Sequence, residues 1–247
     1  MKKNLSIALV TLIIILTLVY SLRKNTPDFE QYAAGTERKT AFFNYFLPLI
    51  AAKNQQITQI REKLHHWRNN RSDIGWWDAR QLDDLANQYR VKEFSIDDDP
   101  SWDKLLRKVD VLPPSLVLAQ AANESAWGTS RFATLGNNYF GQWCYKKGCG
   151  LVPNKRGTGK AHEVAAFESP EESLDSYMQN LNSHPAYKPL RKIREQRHRN
   201  NQDITGIALA AGLTSYSERG DKYIKELREM IHYNELSEHD DYINNQD

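Results

Sequence analysis

The sequence predicts an α+β fold that is predominantly helical, with a small β-hairpin lobe, a helical N-terminal region and a membrane anchor at the amino terminus. Three observations lead there. Apolar residues recur at helical spacing over most of the chain beyond Glu37. Between Lys146 and Phe167 glycines and basic residues break that spacing. Leu5 to Leu22 carries no charge at all. With 40% hydrophobic and 26% charged residues the chain is globular, neither collagen-like nor of low complexity.

The amino terminus reads as a targeting element. Lys2 and Lys3 precede the charge-free run, and Arg23 and Lys24 follow it. The run is long enough to cross a bilayer, and its exit LVYSLRKN lacks a small-residue cleavage site. Residues 1–22 are therefore expected to be a signal anchor, uncleaved in preference to cleaved, with the rest of the chain exported. Without Lys2 and Lys3 the remainder has as many acidic as basic residues, which excludes a general nucleic-acid binder. A membrane contact is expected through the N-terminal helix, and no nucleic acid.

Residues 23–36 read as a linker. Over 37–99 a helical region is expected, its first helix running to about His66 with a break or kink at Pro48. A second helix covers about 72–89 and a third about 100–110. Asp97 to Asp99 precede that third helix, where carboxylates favour the positive end of its dipole over a cation site. Pro113 and Pro114 open a helix that is apolar all round to Trp127 and so is central and buried, with Gly128 as its stop. Short extended stretches around 150–153 and 162–167, turning at NKRGTG, form the hairpin lobe. Ser169-Pro170-Glu171-Glu172 combines an N-cap with a capping-box glutamate. Helices near Ile193, over 203–212 and over 221–233 follow, and residues 234–247 form an acidic tail with a frayed look. The basic run Lys188 to Arg199 is read as a solvated helix face, with contact to an anionic surface as the alternative.

Cys144 and Cys149 are the only cysteines. Two are too few for a structural zinc site, so a small disulfide-closed loop is the preferred reading and free thiols the other. No metal and no cofactor is expected.

The chemistry centres on one acid. Glu124 is the only charged residue between Asp110 and Arg131, and Gln120, Asn123, Glu124 and Trp127 share one helical stripe. An ionised carboxylate buried there is costly unless it is paired. Opening onto a partly dry cleft, it becomes a carboxylic acid that holds its proton near neutral pH, as protonation of a glycosidic oxygen requires. Spacing alone does not separate that reading from a glutamate bonded within the core. Trp127, Phe132, Tyr139, Phe140 and Trp143 lie within twenty residues of the acid and alternate with Asn137, Asn138 and Gln142. As a cluster they suit one wall of a carbohydrate groove, although any single one is more readily a core residue.

LAQAANESAWGTS followed by NNYFGQW resembles the signature of the bacterial glucosaminidase-domain family, whose members include wall-hydrolase modules of flagellar rod proteins and autolysins. The likeness spans about 100–233. KTAFFNYFLPLIAAKNQQI and WCYKKGCGLVP extend it to one branch of that family and to nearly everything beyond the anchor. The resemblance implies a lysozyme-like glucosaminidase domain over residues 100–233 that cleaves the β-1,4 bond after N-acetylglucosamine in peptidoglycan. It puts the general acid on Glu124 and a second carboxylate in the hairpin lobe, where Glu163 is the best-placed acid and Glu168 lies close by. It implies substrate contacts from Trp127, Asn137, Tyr139, Phe140, Trp143, Tyr216 and Tyr223. TSYSERGDKY departs from the family segment by one extra residue between its tyrosines and by a missing proline. The location implied is the bacterial periplasm, tethered to the inner membrane. Two competing readings remain: a lytic transglycosylase, for which a GLMQ-like run is lacking, and a non-catalytic wall-binding scaffold.

Overall fold

The computed structural model describes residues 27–154 and 161–244. Ten α-helices and three short strands are present among these residues. The first helix, α1 (Thr36–Asn69), runs unbroken through Pro48, so the expected break there does not occur. It is followed by α2 (Trp76–Gln88) and α3 (Asp99–Lys108). Asp98 caps α3 by accepting from the Ser101 amide at 2.9 Å, the use expected for that acidic run.

The helix α4 (Pro114–Ser125) is the centre of the molecule, and every residue from Pro114 to Ala122 is buried. α1, α8 (Gly206–Ala210), α9 (Asp221–Tyr233) and a 3-10 turn at Leu236–Asp240 pack around it. Its proline start leaves amide donors that no neighbouring side chain caps. Asp240 supplies the acceptor from far along the chain, bonding Ser115 N at 2.9 Å, Ser115 Oγ at 2.6 Å and Gly206 N at 3.0 Å. The tail expected to fray thus returns as the 3-10 turn and α10 (Asp241–Asn244), because its aspartate closes the buried end of α4.

The N-terminal region shares this core. Phe42, Phe46 and Ile50 of α1 are fully buried, and Asn54 binds Leu112 on both sides, donating to its carbonyl at 2.8 Å and accepting from its amide at 3.1 Å. Phe29, expected in a tether, is buried with its ring 5.1 Å from that of Phe42.

After α5 (Arg131–Gly136) the chain forms β1 (Trp143–Cys144), β2 (Gly150–Leu151) and β3 (Glu163–Ala165). The sheet is antiparallel in the order β1-β3-β2, with Trp143 opposite Val164 and Leu151 opposite Val164 on the other side. The lobe is therefore a three-stranded sheet rather than a hairpin. A disulfide joins Cys144 to Cys149, whose Cα atoms are 6.2 Å apart. Then come α6 (Pro170–Ser183), capped by Ser169 as its sequence predicts, and α7 (Lys188–Arg199).

Two expectations need correction. Arg194, inside the basic run, is completely buried in α7, donating to the carbonyls of Arg107, Asp110 and Val111 and pairing with Asp110. One face of that run, Leu190, Arg191 and Arg194, is buried against the core instead of facing solvent. The membrane anchor finds no counterpart: among the described residues no helix is long and apolar enough to cross a membrane, and Leu5–Leu22 lies outside them. α1 has the length, but Arg38, Lys39, Lys53, Arg61 and Lys63 interrupt its apolar residues, which form one face turned to the core. The membrane contact and inner-membrane location drawn from that anchor lose their support.

Candidate active site

The acid at the end of α4 opens onto a cavity of about 1120 Å³ between the helices and the small sheet. Local sequence explains the opening. α4 stops at Ser125, earlier than the expected Gly128, because Ala126 and Trp127 take left-handed conformations, with φ of 51° and 60°. Two successive non-glycine residues in that region are costly, which is typical of a functional turn. Gly128 has two reasons to be glycine: its φ is 78°, and a Cβ there would sit 2.2 Å from the Phe29 ring.

The segment after α5 folds around Asn138. Its amide donates to Gln142 O at 2.9 Å and Ala165 O at 2.8 Å, and its oxygen accepts from Gln142 N at 3.1 Å. This curls Phe140-Gly141-Gln142 across the mouth of the cavity. Gly141 has a φ of 62°, and a Cβ on it would lie 3.2 Å from Glu124 Oε2. Glycine at this position leaves one carboxyl oxygen uncovered.

The other oxygen is held from below. Tyr223 donates to Glu124 Oε1 at 2.8 Å, and Asn123 Nδ2 approaches it at 3.3 Å. Gln120 donates to the Tyr223 hydroxyl at 3.0 Å and accepts from Tyr177, so a chain of buried neutral groups fixes the acid. Burial raises the Glu124 carboxyl above its usual value, and the hydrogen bonds from Tyr223 and Asn123, with the charge of Arg219, offset only part of this. Such a group retains a proton to higher pH than an exposed glutamate.

Aromatic rings line the walls. Phe140 stacks on Tyr177 with centroids 4.0 Å apart, and Tyr216 stacks on Tyr223 at 5.5 Å while donating to Phe140 O at 2.7 Å. Trp143 stacks on His162 at 4.2 Å on the lobe side and is half exposed. Glu124, Phe140, Trp143 and Tyr216 line the cavity, and Tyr223 stands directly behind the acid.

The other sequence-derived residues lie elsewhere. Trp127 packs against Phe42 and Phe43 of α1, with Lys39 Nζ 5.0 Å from its ring. Tyr139 is buried among Phe29, Phe42 and Phe46. Asn137 caps α5 in a left-handed conformation and donates to Phe167 O at 3.0 Å. Glu163 is 6% exposed, faces the disulfide loop, and accepts from Gly148 N at 3.0 Å and Gly150 N at 2.9 Å. It does not line the cavity. Glu163 also lies near Cys144 and Cys149, but those sulfurs are bonded to each other and offer no thiolate to a metal.

Sequence reasoning missed Gly141, Tyr177, Glu218 and Arg219. Gln120 was legible in part, since it shares the helical face of Glu124. Glu218 and Arg219 lie inside the TSYSERGDKY segment, of which the resemblance implies contacts from the tyrosines alone, and reach the cavity on the loop before α9.

A carboxyl raised by burial at the end of a buried helix, open to a cleft beside a small sheet, has the chemistry that protonation of a glycosidic oxygen requires. The chain belongs to the glucosaminidase family: the family model described as mannosyl-glycoprotein endo-beta-N-acetylglucosaminidase matches residues 99–236. Over 212 residues it is 37% identical to Protein bax of Escherichia coli (strain K12), covering 85% of this chain and 74% of that one. The catalytic domain of the autolysin Auto from Listeria monocytogenes is a more distant structural neighbour, with 18% identity, a TM-score of 0.46, and coverage of 84% of this chain and 90% of that one. The chain is a glycoside hydrolase of glucosaminidase type.

Proposed function

We propose that this enzyme hydrolyses the β-1,4 bond after N-acetylglucosamine in peptidoglycan strands, with Glu124 as the general acid. The observation that carries the reading is the pairing of a carboxyl raised by burial with one oxygen left open at Gly141. Family membership and the NESAWG and NNYFGQW signatures support the substrate class.

Tyr223 holds Oε1 in place, and Oε2 faces the cleft to protonate the leaving oxygen. Tyr216 supplies an apolar face for a sugar ring, Phe140 backs the wall from within the core, and the Trp143–His162 stack forms the lobe-side lip. Glu163 acts as a positioning residue, since both its oxygens hold the loop that carries Cys149 and Gly150. Among the described residues Glu218 is the other carboxylate lining the cavity, and it is the one left to take the proton of the attacking water.

Mass spectrometry of digested wall fragments tests the reaction. Reducing N-acetylglucosamine ends are expected; anhydromuramic ends would make the enzyme a lytic transglycosylase, and no cleavage would leave a binding protein. Glu218→Gln is expected to slow turnover more than Glu163→Gln, and the opposite order returns the second role to Glu163.

A further inference from the structure

We propose that the exposed face of α2, from Trp76 and Trp77 to Gln88, is an accessory site that holds the glycan strand outside the cleft. The inference rests on the glycan-hydrolase reading given above. Trp76 and Trp77 are 65% and 69% exposed, with ring centroids 4.3 Å apart, and together present a contiguous apolar patch at the start of the helix. Isolated exposed apolar residues need no explanation, but two adjacent indoles with most of their surface in water mark a contact site.

The place of the pair on the helix identifies the occupant. Trp77 and Gln88 are eleven residues apart, which at about 100° per residue brings them to within about 20° of one direction, about 16 Å apart along the axis. Gln81 and Asp84 fall on the same stripe, and all of these side chains are exposed. Leu82 and Ala86 occupy the opposite, buried face. At its far end the stripe enters the cleft: Gln88 lines the cavity with Arg90, and Gln179 of α6, itself part of the lining, donates to Gln88 O at 2.8 Å. A polymer leaving the cleft past Gln88 therefore meets amides and a carboxylate, which bond hydroxyls, and then two indole faces, on which sugar rings stack.

The charge of the helix argues against a lipid surface. α2 carries Asp78, Asp83 and Asp84 against Arg80, whereas helices that lie on anionic membranes present basic faces. A linear strand also gains from a second point of attachment, because the cleft then binds it at high effective concentration.

Two assays test the site. In the first, Glu124→Gln, which is not expected to cut, is pelleted with insoluble peptidoglycan, with and without Trp76→Ala and Trp77→Ala. The double tryptophan variant should bind about tenfold more weakly, the loss expected of one hot-spot aromatic. In the second, the same double substitution in the native background should raise KM on the polymer and lower the ratio of polymer to short-oligosaccharide turnover by about tenfold. Equal pelleting, or equal loss on polymer and oligosaccharide, overturns the proposal. So does tryptophan-dependent flotation with phosphatidylglycerol vesicles or a tryptophan-dependent dimer in sedimentation, when pelleting is unchanged. Tryptophan-dependent pelleting by a native chain that cuts neither substrate would remove the hydrolase reading and leave the accessory site. Normal turnover with tryptophan-independent pelleting would do the reverse.

Discussion

Asp110 and Glu124 bracket the same buried segment, one just before α4 and the other near its end, and their surroundings drive them in opposite directions. Burial raises both. At Asp110 it is outweighed by Arg194 at 3.2 Å, His198 at 3.0 Å and Arg61 at 3.8 Å, and the carboxyl is held down at about 2. At Glu124 the hydrogen-bonding partners are Tyr223 and Asn123, both neutral, and burial prevails. The charge of the partners, more than the depth of burial, decides whether a buried acid is an anion that ties helices together or a proton donor.

Removing the proposed donor should have the largest effect. Glu124→Gln is nearly isosteric and keeps an acceptor for Tyr223, so the chain should fold and the rate should fall by about 10²–10⁴-fold. A zymogram set beside a melting curve checks both halves, and equal clearing by native and variant chains would remove Glu124 from the chemistry.

The Asp110 side should break differently. Asp110→Asn leaves Arg194 buried without its counter-charge, and the expected loss is about 3–5 kcal/mol of unfolding free energy in urea titration. pH sharpens the point. A carboxyl lowered from 3.8 to about 2 contributes stability that is present above its unfolded value and lost as pH falls through that interval. The native chain should therefore weaken between about pH 4 and pH 2, and the variant should lack that part of the slope.

The two sites also differ in how far the sequence reveals them. The Glu124 end is written locally: the prolines that start α4, the single acid on its polar stripe and the following NNYFGQW segment lie within one short run. The brace is assembled from α1, α3, the segment just before α4, α6 and α7, and nothing near Arg194 says which face of a strongly basic helix is buried. Periodicity marks a face but does not name what packs on it. The same limit explains Asp240, which looks like frayed tail until Ser115 and Gly206 come beside it. It also explains the aromatics: Tyr139 and Trp127 share a sequence neighbourhood with Phe140 and Trp143 but turn towards the α1 side of the core. Glu163 is the corresponding case among the acids, because its partners are backbone amides that carry no residue signature.

Gly141→Ala tests the uncovered oxygen without touching the acid. The substitution adds strain at a φ of 62°, about 1–2 kcal/mol, and places a methyl 3.2 Å from Glu124 Oε2. Turnover should drop by about tenfold while the protein remains folded. A variant that loses stability but keeps its kcat would show that Oε2 is not the oxygen that faces substrate.

Tyr223→Phe should have the smallest effect, and it addresses the contrast most directly. The tyrosine donates to Glu124 Oε1, and such a bond favours the ionised carboxylate, so it works against the rise caused by burial. Deleting the hydroxyl removes that opposition. The Glu124 carboxyl should move further up, and the alkaline limb of the kcat–pH profile, where the donor loses its proton, should move to higher pH. The Gln120 amide loses its acceptor in the same step, so some stability is lost as well. A general loosening of the site would lower kcat at every pH and leave the limb where it was. A limb that moves to lower pH would mean that tyrosine and glutamate do not share the proton-holding bond, and the neutral partners at Glu124 would then not be what separates it from Asp110.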